Sequence, residues 1–415
     1  MNNGEKIYID CKDDLFAIQK AIDNLPAEGG TIVIPKGEWL TGPIHLKNNV
    51  ELHLEKDSVL KFSQNFSDYT PAVFTRWEGV ECYNYSPFIY ALNCENISIT
   101  GKGVLDGQGS AWWHWKQLQG NAADRLCKAQ SQNIPVEKRV FATEEDALRP
   151  SFIQFIGCRN VFFEDFTIIN GPQWTIHPVY CENVQALNLT VKSCGPNTDG
   201  FNPDSCKNVL IDKCTFNTGD DCIAINSGLN EDGWRVNRPC VNVEIRNCTF
   251  LGGHAAVAIG SGMSGGIENI NVHNCEIKNT ERGIRLKSMR GRGGYIKNVD
   301  FSNITMNNVE LDNIEVSMDY GSSTAVPVSL KAPDFSDIHF ENISGKGGKF
   351  GISAKGLEES HIKNMTIKNV NVEAEIPLKQ AADNSTKGSH RRRCSGCPGS
   401  PINHPGKTAA CPPTE

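Results

Sequence analysis

The sequence predicts an all-β chain wound as a parallel β-helix, a solenoid closed at its start by a short capping α-helix. Three observations carry this expectation. Cys-x-Asn recurs five times, at Cys94-Glu-Asn96, Cys158-Arg-Asn160, Cys181-Glu-Asn183, Cys206-Lys-Asn208 and Cys240-Val-Asn242. A short apolar run of strand type follows each one: ISI, VFF, VQALNL, VLI and VEI. From Asn160 the phase continues through Asn269 and Asn298 at intervals of 23, 25, 34, 27 and 29 residues. A period in the twenties, built from short strands and polar turns, suits stacked coils. Leucine-rich repeats share the period, but their leucine lattice is missing, and the alternation excludes a helical solenoid.

Each element follows in order. Residues Asp13 to Leu25 read as the cap, with Leu15, Ile18, Ile22 and Leu25 on one helical face and acids at the helix start. The repeated Asn is expected at a tight corner, because Asn tolerates left-handed backbone. At a second fixed phase stand Phe166, Leu189, Cys214, Cys248, Cys275 and Ile304, all core-type residues. Residues 119–148 lose the strand pattern and are expected to form a long loop beside the barrel. The polar insert 229–239, LNEDGWRVNRP, accounts for the one long interval. The repeat fades near Ile376, so residues 1–379 read as a single catalytic β-helix domain and 380–415 as a disordered tail rich in Pro and Gly. In that tail Cys394-Ser-Gly-Cys397 is too sparse in further ligands to specify zinc.

Composition narrows the partners. A formal net charge of −7 disfavours nucleic acid and acidic membranes, and no apolar run is long enough to span a bilayer. The start, MNNGEKIYIDCKDD, lacks the features of a secretory leader and reads as cytoplasmic. A chain whose leader had been removed would read as secreted or periplasmic. Sixteen cysteines could suggest disulfides. Their equivalent positions on the repeat point instead to small buried thiols stacked in the core.

The polar residues fall on the repeat in a pattern. Asp199, the pair Asp220-Asp221, His254, and Arg285 with Lys287 lie on four consecutive coils, each between a core residue and the next apolar run. Singly, Asp199, Asp220 and His254 each have the simpler reading of a turn residue beside Gly or Asn. Together they form a column, and scattered surface charge would not keep phase with the core. Period two puts Arg285 and Lys287 on one face with Leu286 on the other. The surrounding ERGIRLKSMRGRGGYIK holds six Lys or Arg against one Glu, a basic patch for a carboxylated or phosphorylated ligand. Both Asp220 and Asp221 can face a cleft only if the chain bends at Gly219. Trp112-Trp113-His114-Trp115 could stack on sugars, although packing the loop against the barrel is the simpler reading.

These motifs carry a resemblance. NTDG (197–200), GDD (219–221), GGH (252–254) and RLK (285–287) resemble, in order and spacing, the four signatures of the polygalacturonase family of inverting glycoside hydrolases. The likeness runs from about residue 10 to 376, and the long form resembles bacterial exo-type members. It implies a right-handed parallel β-helix that hydrolyses α-1,4-galacturonosyl links with inversion and without metal or organic cofactor. By position, Asp220 matches the general acid, and Asp199 and Asp221 the pair that holds and deprotonates the attacking water. His254 matches the histidine that supports the acid, while Arg285 and Lys287 match the cations that grip a galacturonate carboxylate. Asn197 and Tyr320 fall at substrate-contacting positions. One departure stands out: Ala255 occupies the place of the family's second glycine, where a positive φ would be strained.

The chemistry suits the residues. Glycoside hydrolysis needs one protonated and one ionised carboxyl, and crowded acids hold a shared proton more tightly. The expected partner is an acidic polysaccharide or oligogalacturonide, attacked from a chain end because the two inserts could wall off the cleft. The alternatives are an endo-acting enzyme, a Ca²⁺-dependent pectate lyase using the acid cluster, and a non-catalytic pectin-binding β-helix.

Overall fold

The structure, a computed structural model, describes residues 5–12, 14–321 and 331–381. Short strands wind into a right-handed parallel β-helix. One sheet of 19 strands includes Glu95–Gly101, Arg159–Glu164, Glu182–Leu187, Lys207–Asp212 and Cys240–Arg246, each paired in parallel with the next. A second wall runs through Ile89–Leu92, Ile153–Ile156 and Ile176–Val179. It continues across bridges at Phe201 to Ile223–Ile225, Gly253–Ile259, Thr280–Lys287 and Asp312–Ser317. Along this wall Ile176, Phe201, Ile223, Val257, Ile284 and Ile314 stand in register and point into the barrel, all but excluded from water. Burial of such a column, at about 25 cal/mol per Å² of apolar surface, adds to the parallel backbone ladders in binding one coil to the next.

The corner asparagines adopt the expected conformation, with φ of 54° at Asn160, 59° at Asn183, 58° at Asn208 and 59° at Asn242. They also do something the sequence did not announce. Each side-chain amide donates to the carbonyl oxygen of the Asn one coil earlier: Asn183 to Asn160 at 3.1 Å, Asn208 to Asn183 at 3.0 Å, and Asn242 to Asn208 at 3.0 Å. The stacked cysteines Cys158, Cys181, Cys206 and Cys240 are buried free thiols. The Sγ of Cys181 and of Cys206 each sits 3.2 Å from a carbonyl oxygen of the preceding coil.

The cap is a helix over Ala17–Asn24, shorter than expected. Ile18, Ile22 and Leu25 are buried, whereas Leu15 lies half-buried in the turn before it. Asp14 accepts the Phe16 N–H at 3.0 Å, which favours a turn over an earlier helical start. Asp13 and the tail from 382 onward, with its Cys394 and Cys397, lie outside the described residues.

The region 119–148 corrects the sequence reading: it contains a helix, Gly120–Ser131, rather than only loop. Its buried face is just Ala122, Leu126 and Gln130, too sparse a stripe to stand out in a polar segment. The insert forms a short helix, Asn230–Val236. An unexpected antiparallel hairpin, Val73–Trp77 with Val80–Asn84, joins them. A second small core of Trp77, Val80, Cys82, Ala122, Leu126, Phe141 and Leu148 unites hairpin and helix. Asp232 of the insert fastens the group, meeting Arg139 at 2.9 Å and accepting the Glu81 N–H at 2.8 Å. Trp112 and Trp115 are buried among Phe66, Tyr69, Tyr85 and Phe88, so those two rings pack the barrel side.

Candidate active site

The acids sit where strands give way to turns. The strand Thr215–Thr218 ends, the chain bends at Gly219-Asp220, and the next strand begins at Ile223. A Cβ at Gly219 would lie 2.2 Å from the Gly195 carbonyl oxygen, so only glycine permits this approach. The coils are tied by parallel-type backbone bonds: Thr175 N–H to Asp199 C=O at 2.8 Å, Gly200 to Asp221 at 3.0 Å, and Cys222 to Ala255 at 2.8 Å. Asp199 and Asp221 therefore stack on successive coils, and Asp220 reaches the same space from the bend. One carboxylate oxygen from each of the three lies within 4.8 Å of the others.

Their environments differ. Asp199 is 4% exposed and accepts from Asn202 Nδ2 at 2.9 Å. Burial, then the charges of Asp220 and Asp221, push its carboxyl well above the ordinary range. Asp221, 2% exposed, is ion-paired to Lys287 Nζ at 2.7 Å. Asp220 is the most open of the three. Burial pushes its carboxyl up, but the hydrogen bond and charge of His254 outweigh this and hold it below the usual value. His254 Nδ1 lies 3.1 Å from Asp220 Oδ1, and that bond pushes the imidazole up to about 9. Glu281, 3.7 Å from His254 Nε2, adds to the effect. The proton of the Asp220–His254 pair thus resides on the imidazole in the free protein.

The other candidates gather beside the acids. Arg285 lies 2.7 Å from Glu315, and its guanidinium and the Lys287 ammonium stand 5.2 and 5.3 Å from the Tyr320 ring. Asn197, left-handed at φ 55°, points its amide at Asp220 at 3.4 Å and accepts from Arg149 at 2.8 Å. The basic patch is less free than its sequence implied. Arg282 and Arg285 share Glu315, Arg290 pairs with Glu359, and Lys297 with Glu268. Counter-acids supplied by other coils, Glu315 opposite Arg285 and Glu268 opposite Lys297, were invisible in a linear stretch.

The concern over Ala255 is corrected. Ala255 lies in the regular strand Gly253–Ile259 and its φ is not positive; its methyl packs with Ala224 and Ala258. The strained position is Gly253, at φ 146°, where a Cβ would fall 2.6 Å from the Asp220 carbonyl oxygen.

Several neighbours escaped sequence reasoning. Arg149, wholly buried, binds the Pro172 and Pro196 carbonyls and Asn197, and burial lowers its guanidinium to about 10. Trp174, one residue before Thr175, rests half-buried against His177 with ring centroids 4.7 Å apart. Its phase, one coil before Asp199, was the only signal available. Arg282 faces Glu315 within the RLK strand.

A parallel β-helix that gathers three acids, a histidine and two cations at one place fits a carbohydrate-active protein. The chain matches the family model for glycosyl hydrolases family 28 over residues 26–390 and belongs to that family. It is therefore a glycoside hydrolase. It resembles the crystal structure of a hyperthermoactive exopolygalacturonase from Thermotoga maritima, with a TM-score of 0.86 and 38% identity over 90% of this chain and 88% of that one. It is 28% identical to an exo-poly-alpha-D-galacturonosidase of Dickeya chrysanthemi over 79% of its own length and 58% of the relative's. It is 29% identical to an endo-polygalacturonase of Pectobacterium parmentieri over 86% of both chains. Among the described residues no helix is long and apolar enough to cross a membrane.

Proposed function

We propose that this chain hydrolyses α-1,4-galacturonosyl links of galacturonate oligomers from a chain end, with inversion. The observation that carries the reading is the convergence of three carboxylates, one hydrogen-bonded to His254 and one ion-paired to Lys287, beside Arg285 and Tyr320. Asp220, the open acid, protonates the leaving oxygen when the imidazolium returns its proton across the 3.1 Å contact. A water held between Asp199 and Asp221 attacks the anomeric carbon. Asp221 takes its proton, and Asp199, whose carboxyl binds a proton readily, positions it. Arg285 and Lys287 receive the sugar carboxylate. Exo action is supported by the locked group of hairpin, helix and insert, whose tip borders Gln173 beside the acids.

Acids this close would also suit a retaining enzyme, whose carboxylates lie about 5–5.5 Å apart. The family resemblance favours inversion, and an oxygen pair at this separation can share one water. Digestion of polygalacturonate and trigalacturonate, followed by NMR, tests all parts together. Galacturonate monomer of inverted configuration from the first time point is the expected result. A ladder of mid-length oligomers would make the enzyme endo-acting, and retained configuration would assign the nucleophile role to an aspartate. Activity lost on chelation, with unsaturated products, would make it a lyase.

A further inference from the structure

Glu78 stands at the tip of the hairpin, where Trp77 pairs with Val80 across a two-residue turn. Both turn residues are left-handed, Glu78 at φ 44° and Gly79 at φ 88°. Asn or Gly fits the first position of such a turn; Glu there costs on the order of 1 kcal/mol. The backbone gains nothing from Glu, so the side chain is what the position supplies. Its Oε1 accepts from Gln173 Nε2 at 3.0 Å. Gln173 is 2% exposed, and its own Oε1 has no hydrogen-bond partner among the described residues. The turn is seated by Gly79, whose Cβ position lies 3.1 Å from Leu229 of the insert. It reaches the acids through a short chain of contacts: Gln173, the adjacent Pro172 carbonyl, Arg149, Asn197 and Asp220.

Sugars are recognised by carboxylates and amides that accept from adjacent hydroxyls. In an α-1,4 galacturonan every internal unit has its C4 oxygen in a glycosidic link. Only the non-reducing terminal unit offers a free C3–C4 cis-diol. We propose that Glu78, oriented by Gln173, forms a chain-end subsite whose carboxyl accepts a hydrogen bond from that diol. Glu78 is thus a specificity-determining residue for the sugar that is released. This rests on the exo reading above.

The test compares trigalacturonate with its 4,5-unsaturated counterpart, whose terminal unit lacks the C4 hydroxyl. The native enzyme should favour the saturated substrate in kcat/KM by about tenfold, the upper end of what one lost hydrogen bond is worth. Glu78→Ala should lose about that factor on the saturated substrate, mainly through KM, and its preference should fall to near unity. Glu78→Gln, which keeps the shape of the side chain, should fall between the two and carries the test if the alanine variant does not fold. Unchanged KM and unchanged preference in both variants would overturn the subsite. So would an effect confined to the pH profile of kcat, which would tie Glu78 to the proton of Asp220 instead. Monomer release by the native enzyme, with preference intact in the variants, would sink this inference alone. No monomer from native enzyme would sink the exo reading and this one with it.

Discussion

Asp220 and Asp221 are neighbours in sequence with opposite company. Asp220 shares a proton with a part-exposed imidazole, while Asp221 is shut behind a lysine. Removing the donor in Asp220→Asn should lower kcat by about a hundredfold or more while substrate binding persists, as measured by initial rates and calorimetry. A non-catalytic sugar-binding protein would release no reducing ends in either form. The pH profile has a definite sign. His254 titrates near 9, so the Asp220–His254 pair keeps its proton, and kcat/KM its plateau, until about that pH. In His254→Ala the lone Asp220 carboxyl should lose its proton far lower, moving the basic limb to acid by several units. A limb that stays in place would remove His254 from the proton pathway. Ala255→Gly should leave turnover unchanged, because Ala255 adopts ordinary strand geometry. It should lower stability by roughly 0.5–1 kcal/mol, read by chemical denaturation.

At the scale of elements, the structure divides into the repeat and a side wall, the group of hairpin, helix Gly120–Ser131 and insert. The wall hangs on Asp232, 1% exposed and paired to Arg139. Asp232→Ala strands a buried guanidinium and should cost about 3–5 kcal/mol locally. The expected readout is product length: mid-length oligomers should appear from polygalacturonate as the hairpin and insert loosen. A purely monomeric product pattern would mean that the wall does not set the mode of attack. The corners of the repeat predict differently. Asn208 combines φ 58° with two ladder bonds, to Asn183 and from Asn242. Asn208→Ala should destabilise by about 2 kcal/mol, from the left-handed backbone and the lost bonds together. Asn208→Gly, free of the backbone penalty, should recover part of it in thermal melts.

For the molecule as a whole, a buried polar knot fastens the wall to the barrel. Arg76 and Asp204, both wholly buried, pair at 3.0 Å, and His177 lies 3.6 Å from Asp204. Burial pushes Asp204 up, but Arg76, His177 and the Gly228 N–H together hold it below its ordinary value. A carboxyl depressed by folding contributes stability that is present above its unfolded pKa, near 4. That stability is lost as pH falls through the lower folded value. Acid titration should therefore unfold the native chain more steeply than a variant in which Arg76 and Asp204 are both replaced by apolar residues of similar size.

Much of this was legible in the chain. The Asn and Cys phases announced the coils because a solenoid repeats the same local demand at each turn, and the cap helix showed its apolar face. Asp199, Asp220, Asp221, His254, Arg285 and Lys287 were visible because residues at one phase become neighbours when coils stack. Other features depended on contacts with no fixed phase. The hairpin, the Arg139–Asp232 lock and the Glu78–Gln173 pair join segments separated by irregular insertions, whose meeting is set by packing and buried ion pairs. Sequence determined that acids would line one column of a β-helix, because periodicity is written locally. Tertiary structure alone decided which acid faces histidine, which faces lysine and what stands beside them, because burial and charge depend on every segment folded around the cleft.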